Sequence, residues 1–253
     1  MSTRGFQPLT ISSVQKETDS AVVIGFNVEA QQAELYKYRP GQYLTLRANI
    51  DCESVQRSYS ICSGINDAAM TIAVKRVEGG KFSNFANDAL VAGAQIEVMP
   101  PQGNFCADIS QGNRKNYLFI ASGSGITPIL SNIKSILDVE SNSRLTLIYG
   151  NKRTTSIMFR DALSFLKNQY LTRFQWINIL SREDQGVDLL NGRIDNAKGR
   201  ALGTQLIDLK SYDEYYICGP ESMISEVSRG LRGLGIEENS IRYELFGASA
   251  DDA

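Results

Sequence analysis

The chain has 253 residues, of which 42% are hydrophobic and 21% are charged, with 26 basic against 28 acidic side chains. At about 150 residues per domain, this length predicts two domains. A net charge of −2 provides no electrostatic attraction to nucleic acid. The absence of histidine excludes Ser-His-Asp and Cys-His nucleophilic sites, histidine-ligated metals and a histidine general base. Chemistry must therefore come from other side chains or from a bound cofactor.

The cysteines are scattered and form no C-x-x-C pair; they are Cys52, Cys62, Cys106 and Cys218. This spacing predicts neither a disulfide framework nor an iron–sulfur or other metal site in this chain. The N-terminus lacks an apolar signal core, and no apolar run reaches the roughly 18 residues of a membrane span. We therefore expect a reduced, cytoplasmic protein with no membrane insertion and no nucleic-acid partner.

Residues up to about 107 alternate apolar and polar side chains with the period of β-strands. One strand face carries Val22, Ile24, Phe26 and Val28, and the same alternation recurs at 70–74 and 96–98. A single short helix is expected from Ser83 to Leu90. Several short strands separated by Gly and Pro turns predict a small antiparallel barrel or sandwich.

After residue 108 the pattern changes to continuous apolar runs, as in strands buried on both faces of a parallel sheet. These runs are Tyr117–Ala121, Leu145–Tyr149, Phe174–Leu180 and Tyr215–Cys218. Helices are expected between them, at Pro128–Leu137, Ser156–Lys167 and Pro220–Leu234, the last ended by Gly235. Alternating strands and helices predict a doubly wound α/β domain with a parallel sheet. Its boundary is expected in the polar stretch 110–115.

A glycine-rich turn, residues 121–128, follows the first of these apolar strands. Gly123 and Gly125 would let the backbone approach a ligand, with Thr127 capping a helix that starts at Pro128. Such a helix N-terminus can hold phosphate, although the same glycines can serve the turn alone. The spacing departs from G-x-G-x-x-G, which argues against a standard Rossmann dehydrogenase.

Five motifs in order resemble the ferredoxin–NADP reductase family over essentially the whole chain. They are Arg57-x-Tyr59-Ser60, Gly80-Lys81-Phe82-Ser83-Asn84, Gly123-x-Gly125-Ile126-Thr127-Pro128, Cys218-Gly219-Pro220 and Glu244-x-Phe246. Within the family, stretches 38–42, 98–105 and 147–151 are similar to the reductase subunits of bacterial phenylacetyl-CoA epoxidases. The resemblance implies an FAD-binding antiparallel Greek-key β-barrel at 1–109, an NAD(P)-binding α/β domain at 110–246, and a tail or linker start at 247–253.

The resemblance places flavin in the barrel. Arg57 would bind the diphosphate of FAD, Tyr59 would pack on the isoalloxazine, and Ser60 would hydrogen-bond near flavin N5. Lys75 can equally be part of a solvated strand edge, and Lys81 can be merely exposed. Further cofactor-binding positions implied in this domain are Val74, Lys75, Val77, Gly80, Lys81, Phe82, Ser83 and Asn84. FMN in place of FAD is the alternative cofactor.

The resemblance places the nicotinamide nucleotide in the second domain. Its diphosphate and ribose would run along Gly123, Gly125 and Thr127. Cys218, beside Gly219 and Pro220, would position the nicotinamide ring without acting as a nucleophile. Phe246 would cover the flavin face, and Glu244 would balance charge or protons. The implied catalytic residues are therefore Ser60, Cys218, Glu244 and Phe246.

The choice between NADPH and NADH depends on the 2′-phosphate. Ser181 and Arg182 follow one apolar strand, and Arg153 follows another. A hydroxyl and a guanidinium suit phosphate, so NADPH is expected in preference to NADH, although Glu183 is close enough to complicate this choice.

These inferences predict an FAD-dependent NADPH oxidoreductase. It would pass single electrons to a 2Fe-2S centre outside this chain, in a ferredoxin domain or iron–sulfur protein that feeds an oxygenase complex. The chain ends seven residues after Phe246, so it is expected to be either a fragment or the partner of a separate ferredoxin. A stand-alone ferredoxin or free-flavin reductase is the enzyme alternative. A non-catalytic FAD-binding electron-transfer subunit is the alternative of another class.

Overall fold

The computed structural model describes residues 5–246. The expected tail, 247–253, lies outside the described residues. The chain forms two compact units. The first contains residues 5–107 and 130–135, and the second contains residues 108–129 and 136–246.

The first unit is a six-stranded antiparallel sheet with one helix. Its strands are β1 (Gln7–Thr18), β2 (Ala21–Asn27), β3 (Tyr43–Ile50), β4 (Glu53–Ser60), β5 (Met70–Lys75) and β6 (Gln95–Val98), and its helix is α1 (Lys81–Asp88). The order is β4-β3-β6-β1-β2-β5. An antiparallel bridge between Ile61, just after β4, and Ile72 of β5 links the two ends of the sheet. The predicted Greek-key barrel is thus confirmed.

The alternating apolar residues of the strands fill the barrel. Val22, Ile24 and Phe26 lie in one buried cluster, and Phe82 of α1 belongs to the same cluster. Helix α1 begins two residues earlier than expected because Gly80, in an extended conformation, is its N-cap.

The second unit is a five-stranded parallel sheet with helices. Its strands are β7 (Asn116–Ser122), β8 (Arg144–Asn151), β9 (Phe174–Leu180), β10 (Glu214–Gly219) and β11 (Ile241–Leu245). Its helices are α2 (Ile126–Val139), α3 (Arg160–Gln169), α4 (Asn196–Gln205) and α5 (Glu221–Gly233). The predicted doubly wound α/β architecture is confirmed, while α4 and β11 are additions that the apolar pattern did not predict.

The strand order of this sheet is β11-β10-β7-β8-β9. From β7 the chain adds β8 and β9 on one side, and then β10 and β11 on the other. The order reverses between β7 and β10, and ligands of open α/β sheets bind beyond the carboxyl ends of the strands at such a switch point.

Two further expected helix starts are wrong. A 3-10 turn, Gly123–Gly125, leads directly into α2 at Ile126, so Thr127 is not the cap. Its Oγ1 instead donates to the Ser124 carbonyl at 3.0 Å. Pro128 is then the third residue of the helix, where an N–H has no intrahelical partner to lose.

The second wrong start is that of α3, which begins at Arg160 rather than at Ser156. Phe159 has a φ of 58° and separates a 3-10 turn at 154–156 from the helix. The predicted end of α5 is confirmed, because Gly235 has a φ of 85° just after it. Across residues 5–246, no helix has both the length and the apolar character needed to cross a membrane.

Candidate functional site

A cavity of about 530 Å³ lies along β4 in the first unit. Five consecutive β4 residues, Glu53 to Arg57, line it together with Lys81 at the start of α1. The Lys81 ammonium is paired with the Glu53 carboxylate, and the Arg57 guanidinium donates to the Gln56 carbonyl at 2.8 Å. Two cations on one concave surface suit a diphosphate, which the donor fork of Arg57 can bind in a bidentate manner.

Beyond Arg57, the same strand presents an aromatic ring and a hydroxyl. Tyr59 is half-buried, and its ring centroid lies 5.6 Å from that of Phe82. Because Arg57 and Tyr59 are two residues apart in a strand, they lie on the same face. Ser60 is buried at the end of β4. The structure therefore places a cation and a ring on one face of β4, and a buried hydroxyl follows the ring in sequence at the end of the strand.

The turn before α1 is held by its own side chains. The Ser83 hydroxyl accepts from the Val77 N–H at 3.1 Å and donates to the Gly80 carbonyl at 3.3 Å. The Asn84 amide also donates to that carbonyl, at 2.8 Å. Ser83 and Asn84 were expected to offer N–H and hydroxyl donors to the diphosphate, but here the Ser83 hydroxyl and the Asn84 amide shape the turn. What this turn offers an anion is the backbone N–H groups of the first helical turn.

The residues around β5 are in three different environments. The side chain of Val74 is fully buried, so only its backbone can line a site. Lys75 is half-buried and Val77 is half-exposed. Arg76 is taken up by α1, donating to Asp88 at 2.7 Å. The cations that line the cavity are therefore Arg57 and Lys81, not Arg76.

In the second unit, the glycine turn after β7 and the Cys-Gly-Pro turn after β10 are in contact at the switch point. A Cβ on Gly125 would lie 2.2 Å from the carbonyl oxygen of Cys218. Only glycine allows this approach. Gly123 has a φ of 55°, and its carbonyl accepts from the Tyr149 hydroxyl at 2.9 Å. Tyr149, which the sequence interpretation missed, thereby holds the turn in place.

Cys218 is fully buried and lies opposite Glu244 in the parallel pairing of β10 with β11. Burial, followed by the nearby Glu244 charge, raises the pKa of the Cys218 thiol far above its usual range. The side chain is therefore a neutral thiol and not a nucleophile. Phe246, the last described residue, is 43% exposed. Gly219 is half-buried and Pro220, the N-cap of α5, is exposed.

The segments that follow β8 and β9 form a second part of the candidate site, at the carboxyl ends of the strands of the same sheet. The Ser181 N–H donates to the Asn151 carbonyl and the Arg182 N–H to the Lys152 carbonyl, each at 2.9 Å. The side chains of Ser181, Arg182 and Arg153 are all exposed. The three residues predicted for a 2′-phosphate thus lie on adjacent segments.

The sequence interpretation missed Thr154 at this position. The Glu183 carboxylate accepts from the Thr154 N–H at 2.8 Å and from its hydroxyl at 2.6 Å. These bonds, together with the charges of Arg153 and Arg160, hold the pKa of Glu183 below its usual value. The only sequence signal for this contact between Thr154 and Glu183 was the expectation that β8 and β9 are neighbours, because neighbouring parallel strands bring the loops that follow them together.

Comparison with known proteins identifies both units. Residues 8–106 match the family described as oxidoreductase FAD-binding domain, and residues 119–229 match oxidoreductase NAD-binding domain. One of the subunits of 1,2-phenylacetyl-CoA epoxidase from Escherichia coli (strain K12) is 44% identical over 241 residues, covering 95% of this chain and 68% of that protein.

A second relative is the ferredoxin reductase component of 3-ketosteroid-9-alpha-monooxygenase from Rhodococcus rhodochrous. It is 31% identical over 249 residues, covering 96% of this chain and 66% of that protein. The chain thus spans about two thirds of the length of these curated relatives.

Among solved structures, the FAD/NAD binding domain of nitric oxide dioxygenase from Vibrio cholerae has a TM-score of 0.82 at 21% identity. The match covers 96% of this chain and 100% of that one. At this identity the likeness shows the fold alone, which is the fold described above.

Proposed function

The chain belongs to the ferredoxin-reductase family of FAD- and NAD(P)-binding oxidoreductases, and on that premise we propose that it is the NADPH-dependent reductase of a multicomponent oxygenase of the phenylacetyl-CoA epoxidase type. The observation that carries the proposal is the contact at the switch point. Gly125 lies against the carbonyl of Cys218, so the two turns expected to bind nicotinamide nucleotide form one continuous surface. The proposed domains are residues 1–109 for FAD and 110–246 for NADPH.

The residues of the first unit fit FAD. Arg57 and Lys81 line a cavity large enough for part of a dinucleotide, and their charges would neutralise its diphosphate. Tyr59 offers a half-buried ring for stacking, and the Ser60 hydroxyl is proposed to hydrogen-bond at flavin N5. Bound flavin supplies the chemistry of hydride acceptance and of releasing electrons singly.

The residues of the second unit fit nicotinamide nucleotide. Backbone atoms of Gly123, Gly125 and Thr127 are proposed to line its diphosphate and ribose. Cys218 is proposed to position the nicotinamide ring through its backbone at the start of the Cys-Gly-Pro turn, because its fully buried, neutral thiol neither attacks nor ionises there. Glu244, directly opposite Cys218, would balance charge at this position. The proposed role of Phe246 is to cover the flavin and move aside.

Three further parts of the proposal go beyond the family. Ser181, Arg182 and Arg153 would bind the 2′-phosphate and favour NADPH over NADH. The electron acceptor would be a 2Fe-2S centre in a ferredoxin domain or iron–sulfur protein, as the name of the R. rhodochrous relative suggests. The proposed compartment is the cytoplasm, where the four cysteines, none of them in a disulfide, remain reduced.

The test is anaerobic mixing of the FAD-reconstituted protein with NADPH and, separately, with NADH. The expected result is rapid loss of the visible absorption of oxidised flavin with NADPH and slower loss with NADH. Electrons should then pass to an added 2Fe-2S ferredoxin. Reduction that reaches only free flavin would favour a free-flavin reductase. Flavin that neither nucleotide reduces would contradict the proposal and favour a non-catalytic electron-transfer subunit.

A further inference from the structure

The loop after β8 and the segment after β9 are joined by a carboxylate clip, defined here as Glu183 bonded to Thr154. The two hydrogen bonds, at 2.8 and 2.6 Å, use both carboxylate oxygens. Two backbone bonds run beside the clip, from Ser181 to Asn151 and from Arg182 to Lys152. The clip and these backbone bonds together hold the segment that carries Arg153 beside the segment that carries Arg182, and the clip is the only one of these links made by a side chain that can be replaced.

The clip lies among cations. Arg153 and Arg160 are exposed and act on the Glu183 charge, and Lys152 and Arg182 are exposed on the two joined segments. An isolated carboxylate among four cations would offer an acceptor to a ribose hydroxyl, as in sites that prefer NAD. Here each oxygen already accepts one hydrogen bond from Thr154, which turns the carboxylate toward the loop after β8, while the side chains of Arg153 and Arg182 remain exposed.

We infer that Glu183 is a specificity-determining positioning residue of the nucleotide site. By holding Thr154, it keeps the segments that carry Arg153 and Arg182 at a fixed spacing suited to a 2′-phosphate. This inference rests on the proposed function, because it assumes that a nicotinamide nucleotide binds at this edge of the sheet.

A positioning role and a purely electrostatic role for Glu183 predict opposite changes in 2′-phosphate binding when Glu183 is replaced. If Glu183 acted only through its charge, the Glu183→Gln variant would bind a 2′-phosphate more tightly, because a nearby negative charge would be gone. If the clip positions the cations, the same variant should lose preference for the 2′-phosphate. Thr154→Val breaks one bond of the clip without changing any charge, and so separates the two effects further.

The experiment measures binding of 2′,5′-ADP and 5′-AMP by calorimetry to the FAD-loaded protein. These probes differ only in the 2′-phosphate. The parent should prefer 2′,5′-ADP, and both Thr154→Val and Glu183→Gln should reduce that preference about five- to tenfold. Thr155→Val, an exposed neighbour in the same 3-10 turn, is the control for Thr154→Val. Glu238→Gln, which changes the same charge in an exposed pair with Arg232, is the control for Glu183→Gln. Neither control should change the preference.

The outcomes separate the inference from the proposed function. If the parent binds neither probe, the proposed nucleotide site is wrong and the inference fails with it. A parent that prefers 5′-AMP would overturn both the NADPH assignment and the clip. If the parent prefers 2′,5′-ADP but neither clip variant changes that preference, or if Glu183→Gln increases it, only the inference is overturned. Thermal unfolding of each variant shows whether it is folded.

Discussion

Replacing Gly125 by Ala tests whether the contact between the two nucleotide turns is needed. Gly125 has a φ of −60°, which alanine adopts without strain. The added Cβ would nevertheless lie 2.2 Å from the Cys218 oxygen and 2.5 Å from its carbonyl carbon, where ordinary contact begins at 3.4 Å. Both are backbone atoms, so the turns must separate by about 1 Å, at a cost of about 1–3 kcal/mol in the free energy of unfolding.

A displacement of about 1 Å in a positioning element can slow a reaction about 100-fold. We therefore expect Gly125→Ala to retain FAD and to be reduced by NADPH about 10- to 100-fold more slowly, measured by anaerobic stopped-flow absorbance. Gly199→Ala is the matched control, because no atom lies within 4 Å of its added Cβ and it is inside helix α4. It should gain about 0.5–1 kcal/mol of stability without changing the rate. An unchanged rate in Gly125→Ala would refute the reasoning.

Three further predictions concern the flavin cavity, the thiols and the clip. Arg57→Ala should weaken FAD binding more than Arg57→Lys, which keeps the cation but loses the donor fork; fluorescence titration measures both. Arg47→Ala, which breaks an exposed pair with Glu97 at 2.7 Å, should bind FAD normally. Only exposed Cys52 should react with a disulfide reagent in the native protein at neutral pH. Burial raises the pKa of Cys62 to about 11 and raises that of Cys218 further, and Cys106 is also buried. Reaction of a second thiol without unfolding would contradict this. Because the pKa of Glu183 is lowered from 4.5, the clip is intact above that lowered value and is lost as the pH falls through it. Protonation of the 2′-phosphate itself near pH 6 should weaken the preference for 2′,5′-ADP in every variant. The ratio of the parent's preference to that of Glu183→Gln should therefore stay constant from neutral pH down to about 4.5 and fall only at lower pH, whereas a ratio that declines already near pH 6 would argue against a clip held by Glu183.

The alternation of apolar residues was enough to predict both architectures, because burial on one or both faces of a strand is a local property of the sequence. Helix α4 was missed for the opposite reason. It contains Gly199 and Gly203 and buries only Leu202, so it has almost no apolar stripe. It is instead stabilised at its start by Asp195, whose carboxylate accepts from the Lys198 N–H at 2.7 Å.

The expected residues of the candidate site lie on the predicted strands and turns, while the partners of several of them could not be predicted. Thr154 and Glu183 are 29 positions apart, and only the adjacency of β8 and β9 brings them together. The approach of Gly125 to Cys218 depends on the same sheet order. Sequence motifs therefore indicated which strands and turns carry the candidate residues, and the tertiary pairing determines which partners those side chains have.

The two sheets differ in how they end. The bridge from Ile61 to Ile72 joins the ends of the barrel sheet, whereas β11 has no strand on its outer side within residues 5–246. β11 also carries two half-exposed apolar side chains, Tyr243 and Leu245. An open, apolar edge strand is a template for pairing with another chain. Self-association on partial unfolding should therefore begin at β11, and Tyr243→Lys should suppress it in light-scattering measurements.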